Sequence, residues 1–254
     1  MPKHQIIIAI NKLHTDQLER HFKSKAVFET QDIVAFYKQT ENGIKPTTVN
    51  WRIYALVQAG VLQRIGRGKF TLGEGKNYVP EISQTTKNIF KKLKAEFPYT
   101  NLCVWSTSVL NEFMLHQPNQ FFVLIETDKE TINAVFYFLR EIKKSVFIDP
   151  AKDILEKYVV NENEVFVVKS LVSEAPTQNI NGVETATIEK ILVDIFCDDV
   201  IFSAQQGSEM RTIFKEVFEK YTINQSKMLR YADRRRKKEE LNIFAKTISN
   251  LWQR

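Results

Sequence analysis

The chain has 254 residues, of which 43% are hydrophobic and 26% are charged, a composition typical of a soluble globular protein large enough for two modest domains. No apolar run approaches the roughly 18 residues of a membrane span, and the first residues show no secretory h-region, so we expect a cytoplasmic protein that does not contact membranes. Cys103 and Cys197 have neither metal-binding nor redox spacing and are expected to be reduced core residues.

The net charge of +6 is unevenly distributed along the chain. Residues 1–80 contain 12 Lys/Arg and 6 Asp/Glu, which gives 12 − 6 = +6, whereas residues 81–254 contain 24 of each and are neutral. The whole excess therefore lies in the first third. A basic segment joined to a neutral one favours a polyanion-binding domain with a separate effector or interaction module.

The first third is predicted to contain three helices. Apolar residues at four-residue spacing predict a helix over residues 16–26, and Thr30 is the predicted N-cap of a second, short helix. Pro46 suits the first position of a third helix over residues 46–59, and Gly60 suits the position just past its end. The third helix is therefore the best delimited of the three.

A hairpin is predicted directly after the third helix. Residues 61–72 alternate apolar and polar side chains around Gly66-Arg67-Gly68, whose glycines allow a tight turn and a close approach to a duplex. Three helices followed by a two-stranded wing are the order of a winged helix-turn-helix. Residues 1–78 are thus predicted to bind DNA, with the third helix in the major groove and the wing on the backbone.

The third helix has a polar face opposite its apolar stripe. At about 100° per residue, the stripe centres near Ile53, and Asn50 and Arg52 flank the opposite face. Small hydroxyls donate to phosphates, whereas Asn and Arg read base edges. An alternative for Trp51 is packing against a partner chain or the second domain. The predicted DNA-contacting residues are Lys45, Thr47, Thr48, Asn50, Trp51, Arg52, Arg64, Arg67 and Lys69.

Residues 80–254 are predicted to form a mixed α/β domain. The predicted fold class is α+β, an N-terminal winged helix-turn-helix followed by a mixed α/β domain that ends in a long helix. A charged run at 233–240 is interpreted as a solvated helix face or, alternatively, as a nucleic-acid contact. Predicted helices cover 83–98, 129–144, 185–196, 210–221 and about 224–250, a further helix starts at 106, and predicted strands include 102–105 and 121–128.

Enzyme chemistry has little support in the sequence. There is no phosphate-cradling glycine motif and no nucleophile elbow, and no cofactor or metal site is predicted. Gly207-Ser208 resembles the glycine-serine pair of nucleotidyltransferases, but those enzymes also need two carboxylates one residue apart, and the adjacent Asp198 and Asp199 precede the pair. Glu189 and Asp194 are predicted to be structural, with Glu189 near a helix N-terminus and Asp194 capping a helix or pairing with an arginine.

Three segments resemble the AbiEi-type antitoxins of type IV toxin–antitoxin systems. The resemblance implies a winged helix that binds inverted repeats in its own promoter, and a second domain that neutralises a nucleotidyltransferase-like toxin without a tight complex between the two. The position before Leu192-Val193 departs from the family, which commonly has threonine where this chain has Ile191. The matching residues are Leu56, Gly60, Arg64, Arg67, Gly68 and Phe70, then Thr187, Glu189, Lys190, Leu192, Val193 and Asp194, and finally Tyr231, Ala232 and Arg234.

The sequence therefore predicts a DNA-binding antitoxin and autorepressor that is not an enzyme, with two copies on inverted half-sites of double-stranded DNA. Two alternatives remain open at this point. One is a divergent nucleotidyltransferase acting on RNA that its basic domain holds, and the other is a transcription regulator whose second domain senses a ligand.

Overall fold

A computed structural model describes residues 13–73, 77–143, 145–158 and 164–248. The chain divides into two compact units. Among the described residues, the first unit contains 13–73 and Asn77 together with Tyr221–Ser226, and the second contains Tyr78–Lys220 and 227–248. Within these ranges, no helix combines the length and the apolar character that crossing a membrane would require.

The described residues of the first unit form three helices and a three-stranded antiparallel sheet. Strands β2 and β3 form the predicted hairpin, and the short β1, which the sequence analysis did not predict, pairs with β3 so that the sheet order is β1-β3-β2. The elements in chain order are α1 (Thr15–Phe22), β1 (Phe28–Glu29), α2 (Thr30–Thr40), α3 (Pro46–Gln58), β2 (Leu62–Gly66) and β3 (Lys69–Leu72).

Local signals explain the ends of these helices. Helix α2 begins with a capping box in which the Glu29 side chain accepts from the backbone while Asp32 accepts from the Glu29 N–H at 2.8 Å. The N-cap is therefore Glu29 and not Thr30. Helix α3 begins at Pro46 as predicted and ends at Gln58, one residue before the predicted end, with Gly60 at φ 73° after it. Helix α1 ends at Phe22, earlier than predicted.

The core of the first unit is built from aromatic rings. Phe22 and Phe28 stack with their ring centres 4.1 Å apart, and Phe36 lies against Tyr37 at 5.1 Å. The Tyr37 hydroxyl donates to the Leu13 carbonyl at 2.6 Å, which satisfies its only polar group in the core. The buried residues of this core are Leu13, Leu18, Phe22, Phe28, Ile33, Phe36, Tyr37, Val49, Ile53, Leu56, Leu62 and Phe70.

The second unit has a mixed four-stranded sheet with the order β4-β5-β7-β6. Strand β4 pairs antiparallel with β5, whereas β7 lies parallel to both β5 and β6. The predicted α+β class is confirmed. The second unit begins with the strands of this sheet and the helices before and between them. In chain order they include α4 (Gln84–Glu96), β4 (Leu102–Ser106), a 3₁₀ segment (Thr107–Phe113), β5 (Phe122–Thr127), α5 (Ile132–Ile142), β6 (Val146–Ile148), α6 (Lys152–Tyr158) and β7 (Val165–Ser170).

The chain continues with an unpredicted hairpin and then a helical region. The predicted helical C-terminal region is confirmed, but the single helix expected from about 224 to 250 is two helices within the described residues. Arg236 separates them in the left-handed conformation at φ 57°, and the Lys237 N–H bonds the Ala232 carbonyl. The elements are β8 (Thr177–Ile180), β9 (Val183–Ala186), α7 (Ile188–Cys197), α8 (Ser208–Lys220), α9 (Gln225–Arg234) and α10 (Lys238–Ile248).

Candidate functional site

The outward face of helix α3 carries four of the nine predicted DNA-contacting side chains. Thr47, Thr48 and Asn50 are exposed, and Trp51 and Tyr54 expose 57% and 63% of their surface. The opposite face is buried through Val49, Ile53 and Leu56, as the apolar stripe predicts. Helix α3 therefore presents one continuous polar and aromatic surface to solvent.

Arg52 does not belong to that surface. Its side chain is buried, and its guanidinium donates to both carboxylate oxygens of Glu41 at 2.8 and 3.0 Å. The same guanidinium lies 4.7 Å from the centre of the Tyr37 ring, and His14 Nε2 lies 2.8 Å from Glu41. Arg52 therefore attaches α3 to the end of α2, and its guanidinium is occupied by Glu41 instead of facing solvent. Its contact with DNA stays a prediction that this pairing does not favour.

Arg52→Ala is expected to lower the free energy of unfolding of the first unit by about 1–3 kcal/mol, because it removes a two-pronged charged hydrogen bond. The hydrogen bonds from Arg52 and His14 lower the pKa of Glu41. This contribution is therefore present at neutral pH and is lost as the pH falls through the lowered pKa of the folded state. Urea titrations at pH 7 and at acid pH measure both effects; Asn50→Ala, an exposed neighbour on the same helix, is the control and should stay within about 0.5 kcal/mol of wild type.

The hairpin turn is held by its backbone while its arginine side chains are exposed. The Gly68 carbonyl accepts from the Thr30 N–H at 2.8 Å, and the Arg67 N–H donates to Ser226 Oγ at 3.0 Å. Gly68 has φ 70°, a conformation that favours glycine. The exposed Arg64 places its guanidinium 5.3 Å from the centre of the Phe70 ring. The turn is thus fixed, with two guanidinium groups at its surface.

Helix α3 and the hairpin carry positively charged side chains and no negatively charged ones. Residues 42–73, which span α3 and the hairpin, contain five Lys/Arg and no Asp/Glu. Glu41 neutralises one of the five, Arg52, by direct pairing. Lys45, at the N-cap of α3, is exposed, as are Arg64 and Arg67, and Lys69 is half-buried. We call α3 and the hairpin, with these four cations, the basic surface.

The second unit contains a buried charge network centred on Lys190. The Lys190 side chain is fully buried, and its ammonium lies 2.6 Å from Glu126 and 2.5 Å from Asp194. Three further groups donate hydrogen bonds to these two carboxylates. These are Trp105 Nε1, which donates to Glu126 at 3.1 Å, and the Tyr231 hydroxyl and the Arg235 guanidinium, which each donate to Asp194 at 2.8 Å.

The electrostatics of the network favour a charged lysine. Burial alone lowers the pKa of Lys190, but the carboxylates of Asp194 and Glu126 outweigh burial and hold this pKa well above its usual value. Burial raises the pKa of Glu126, against the opposing effect of Lys190. With two basic and two acidic side chains, the network has no net charge, which is how a protein interior accommodates ionised groups.

The network brings together residues from segments that lie far apart in the sequence. Asp194 pairs with an arginine as predicted, and that arginine is Arg235 from the charged run at 233–240. The interpretation of the whole run as a solvated helix face is therefore wrong for Arg235, and the run also contains the break between α9 and α10. Glu126 was not singled out, although a glutamate in the apolar strand β5 is itself a signal.

Two of the residues considered for nucleotide chemistry, Asp198 and Gly207, have identifiable structural roles. Asp198 pairs with Lys169 and also accepts from the Ile201 N–H at 3.0 Å. Gly207 has φ 67° directly before α8 begins at Ser208. In the ranges that the structure describes, no three His, Cys, Asp or Glu side chains are grouped so that they could hold a metal ion.

An open cavity of about 590 Å³ lies beside the carboxyl ends of β5 and β7 in the second unit. Several of its charged groups have partners within the chain. Asp128 accepts from the Asn101 N–H, Glu174 pairs with Arg234, and Lys94 donates to the Thr100 carbonyl at 3.0 Å. These groups hold the rim of the cavity together, and they do not converge on its interior as ligand-binding groups do.

The two units define a mixed α+β protein with a basic surface on the first unit and a neutral, ion-paired interior in the second. The chain belongs to DUF6577, a family of unknown function whose model matches residues 48–251. The match includes most of α3, the hairpin and all of the second unit. A search of curated proteins found no match.

Proposed function

We propose that this chain is a DNA-binding antitoxin of the type IV class and a repressor of its own operon. In this proposal, the first unit is a winged helix-turn-helix that binds duplex DNA at promoter inverted repeats. The second unit opposes a nucleotidyltransferase-like toxin encoded by a neighbouring gene. The observation that carries the DNA-binding part is the basic surface, where residues 42–73 contain no acidic side chain.

The topology of the first unit supports this reading. Helices α2 and α3 follow one another through a short turn at residues 41–45, and the β2–β3 hairpin comes directly after α3. The pairing of β1 with β3 completes a small sheet beside the helices. In a winged helix-turn-helix the third helix is the one that enters the major groove, and here it is α3 that exposes a polar and aromatic face.

The contacts follow from the chemistry of each exposed group. Thr47 and Thr48, in the first turn of α3, are placed to donate hydroxyl hydrogen bonds to phosphates. Asn50 can present its amide to the N6 and N7 atoms of adenine. Arg64 and Arg67 on the hairpin contact phosphates beside the groove. Two copies bound in this way would occupy the two halves of an inverted repeat.

The antitoxin part of the proposal rests on the resemblance of the second unit to AbiEi-type proteins. Three of the matching residues, Lys190, Asp194 and Tyr231, meet in the buried network. Their burial gives these residues a physical reason to occur together, because each satisfies a polar group of another. We therefore assign them to the folding of the second unit and assign the neutralising activity to no named residue.

Two measurements test the two parts separately. A gel-shift assay with the DNA upstream of the gene should show binding that weakens steeply with salt, and the absence of binding at low salt would reject the DNA-binding part. Co-expression with the neighbouring gene should relieve its toxicity. DNA binding without relief would instead favour a transcription regulator, and incorporation of labelled nucleotides into tRNA by the purified chain would favour an enzyme.

Arg67→Ala is expected to weaken binding about equally on all DNA sequences and to lower the salt slope by about one for each bound copy, because a phosphate contact carries no sequence information. The turn itself should persist, since it is the Arg67 backbone N–H that bonds Ser226. Fluorescence anisotropy at several salt concentrations measures the slope, and Lys215→Ala, at an exposed lysine of α8, is the control. Unfolding of the variant would mean that Arg67 is structural.

A further inference from the structure

Two large aromatic side chains stand exposed on the basic surface. Trp51 and Tyr54 are three residues apart on α3, so they lie side by side on one helical face. They expose 57% and 63% of their surface, whereas most other aromatic residues of the first unit, such as Phe22, Phe36 and Tyr37, are buried. A folded protein loses the free energy of burying such rings when it leaves them in water, so this pair is suited to a contact outside the chain.

The charges around Trp51 and Tyr54 indicate which kind of molecule this pair contacts. No acidic residue occurs between positions 42 and 73, and the cations of the basic surface precede α3 at Lys45 and follow it on the hairpin at Arg64 and Arg67. An acid-free aromatic surface with flanking cations is complementary to a polyanion that also offers apolar groups. Duplex DNA meets both conditions, since its major groove exposes one apolar group, the C5-methyl of thymine.

We propose that Trp51 and Tyr54 contact thymine methyl groups in the major groove and so make this helix specific for A·T base pairs. The inference rests on the proposed function and deepens it, because it names what the aromatic part of α3 recognises. Asn50, exposed on the preceding position, fits the same preference, since its amide matches the N6 and N7 atoms of adenine. Thymine contact and adenine contact together would select A·T-rich half-sites.

Deoxyuridine in place of thymidine tests the methyl contact directly, because it removes only the methyl group and keeps charge and base pairing. The probe is the duplex DNA upstream of the gene, with thymine or with uracil at every such position. The full chain is expected to bind the uracil duplex about 15-fold more weakly, which corresponds to two lost methyl contacts of ~0.8 kcal/mol each.

Variants separate a direct contact from an effect of DNA shape. Trp51→Ala and Tyr54→Ala should each reduce the preference for thymine, and the double variant should bind both duplexes equally. Tyr54→Phe, which keeps the ring, should retain the preference. Tyr99→Ala, at a tyrosine of the second unit that is 99% exposed, is the matched control and should behave as wild type. Circular dichroism confirms that each variant is folded.

Each remaining outcome has a defined meaning. Equal binding of both duplexes by wild type would overturn the methyl contact while leaving the DNA-binding function intact. A thymine preference that persists in the double alanine variant would also overturn it, because the methyl groups would then be sensed elsewhere or through DNA shape. Tighter binding of the separated strands than of the duplex would assign the pair to stacking on unpaired bases. Failure to bind either form at low salt would reject the proposed function itself.

Discussion

Lys190→Met is expected to lower the free energy of unfolding of the second unit by about 3–5 kcal/mol, the cost of removing one partner from a buried ion pair. Methionine nearly matches lysine in length, so the change removes the charge without opening a large cavity. The carboxylates of Glu126 and Asp194 would lose the ammonium between them, and only Asp194 would keep a cationic partner, Arg235. Thermal unfolding followed by circular dichroism should show a midpoint lower by roughly 6–20 °C.

Two comparisons separate the network from the loss of any lysine. Lys215→Met removes an exposed lysine that lies 4.0 Å from Glu219, and it should change stability by less than about 0.5 kcal/mol. Adding Glu126→Gln to Lys190→Met removes the carboxylate that the first change leaves unpaired. The double variant should therefore be less destabilised than the sum of the two single variants. A Lys190→Met protein as stable as wild type would contradict the network as a stabilising feature.

Local chemistry made the first unit largely predictable. Helix α3 begins at Pro46 and ends just before Gly60, and both residues act through their own backbone geometry. The hairpin was predictable because alternation of apolar and polar residues brackets a turn with Gly68 at positive φ. Strand β1 has two residues and is defined by its hydrogen bonds to β3. Two residues are too few to show a periodic pattern in the sequence.

Other features depended on contacts distant in sequence or on weak local signals. At the break between α9 and α10, Arg236 occupies the left-handed position where glycine is usual. The sequence therefore lacks the glycine that normally marks a helix end. The β8–β9 hairpin, in contrast, turns at Asn181-Gly182, a dipeptide that is by itself a strong local signal for a hairpin. The Glu126–Lys190 pair joins residues 64 positions apart, and sequence spacing does not reveal such a pairing.

Arg52 shows why helical geometry alone does not decide a site. Asn50 and Arg52 lie on opposite flanks of the apolar stripe of α3, so their angular positions predict similar exposure. The structure separates them because Glu41, at the end of α2, accepts the guanidinium of Arg52, whereas Asn50 remains exposed. A carboxylate on a neighbouring helix therefore determined which of the two belongs to the candidate DNA-binding face.

Raising the salt concentration from 50 to 200 mM is expected to weaken DNA binding by about 40-fold for each bound copy. Lys45, Arg64 and Arg67 are exposed on the basic surface, and three phosphate contacts give a slope of about −2.7 in log affinity against log salt. Replacing all three by alanine should nearly abolish this slope, whereas Lys215→Ala should leave it unchanged. Anisotropy titrations of labelled upstream DNA measure both. A triple variant that kept the wild-type slope would show that cations outside the basic surface bind the phosphates. This result would contradict the proposal that α3 is the recognition helix.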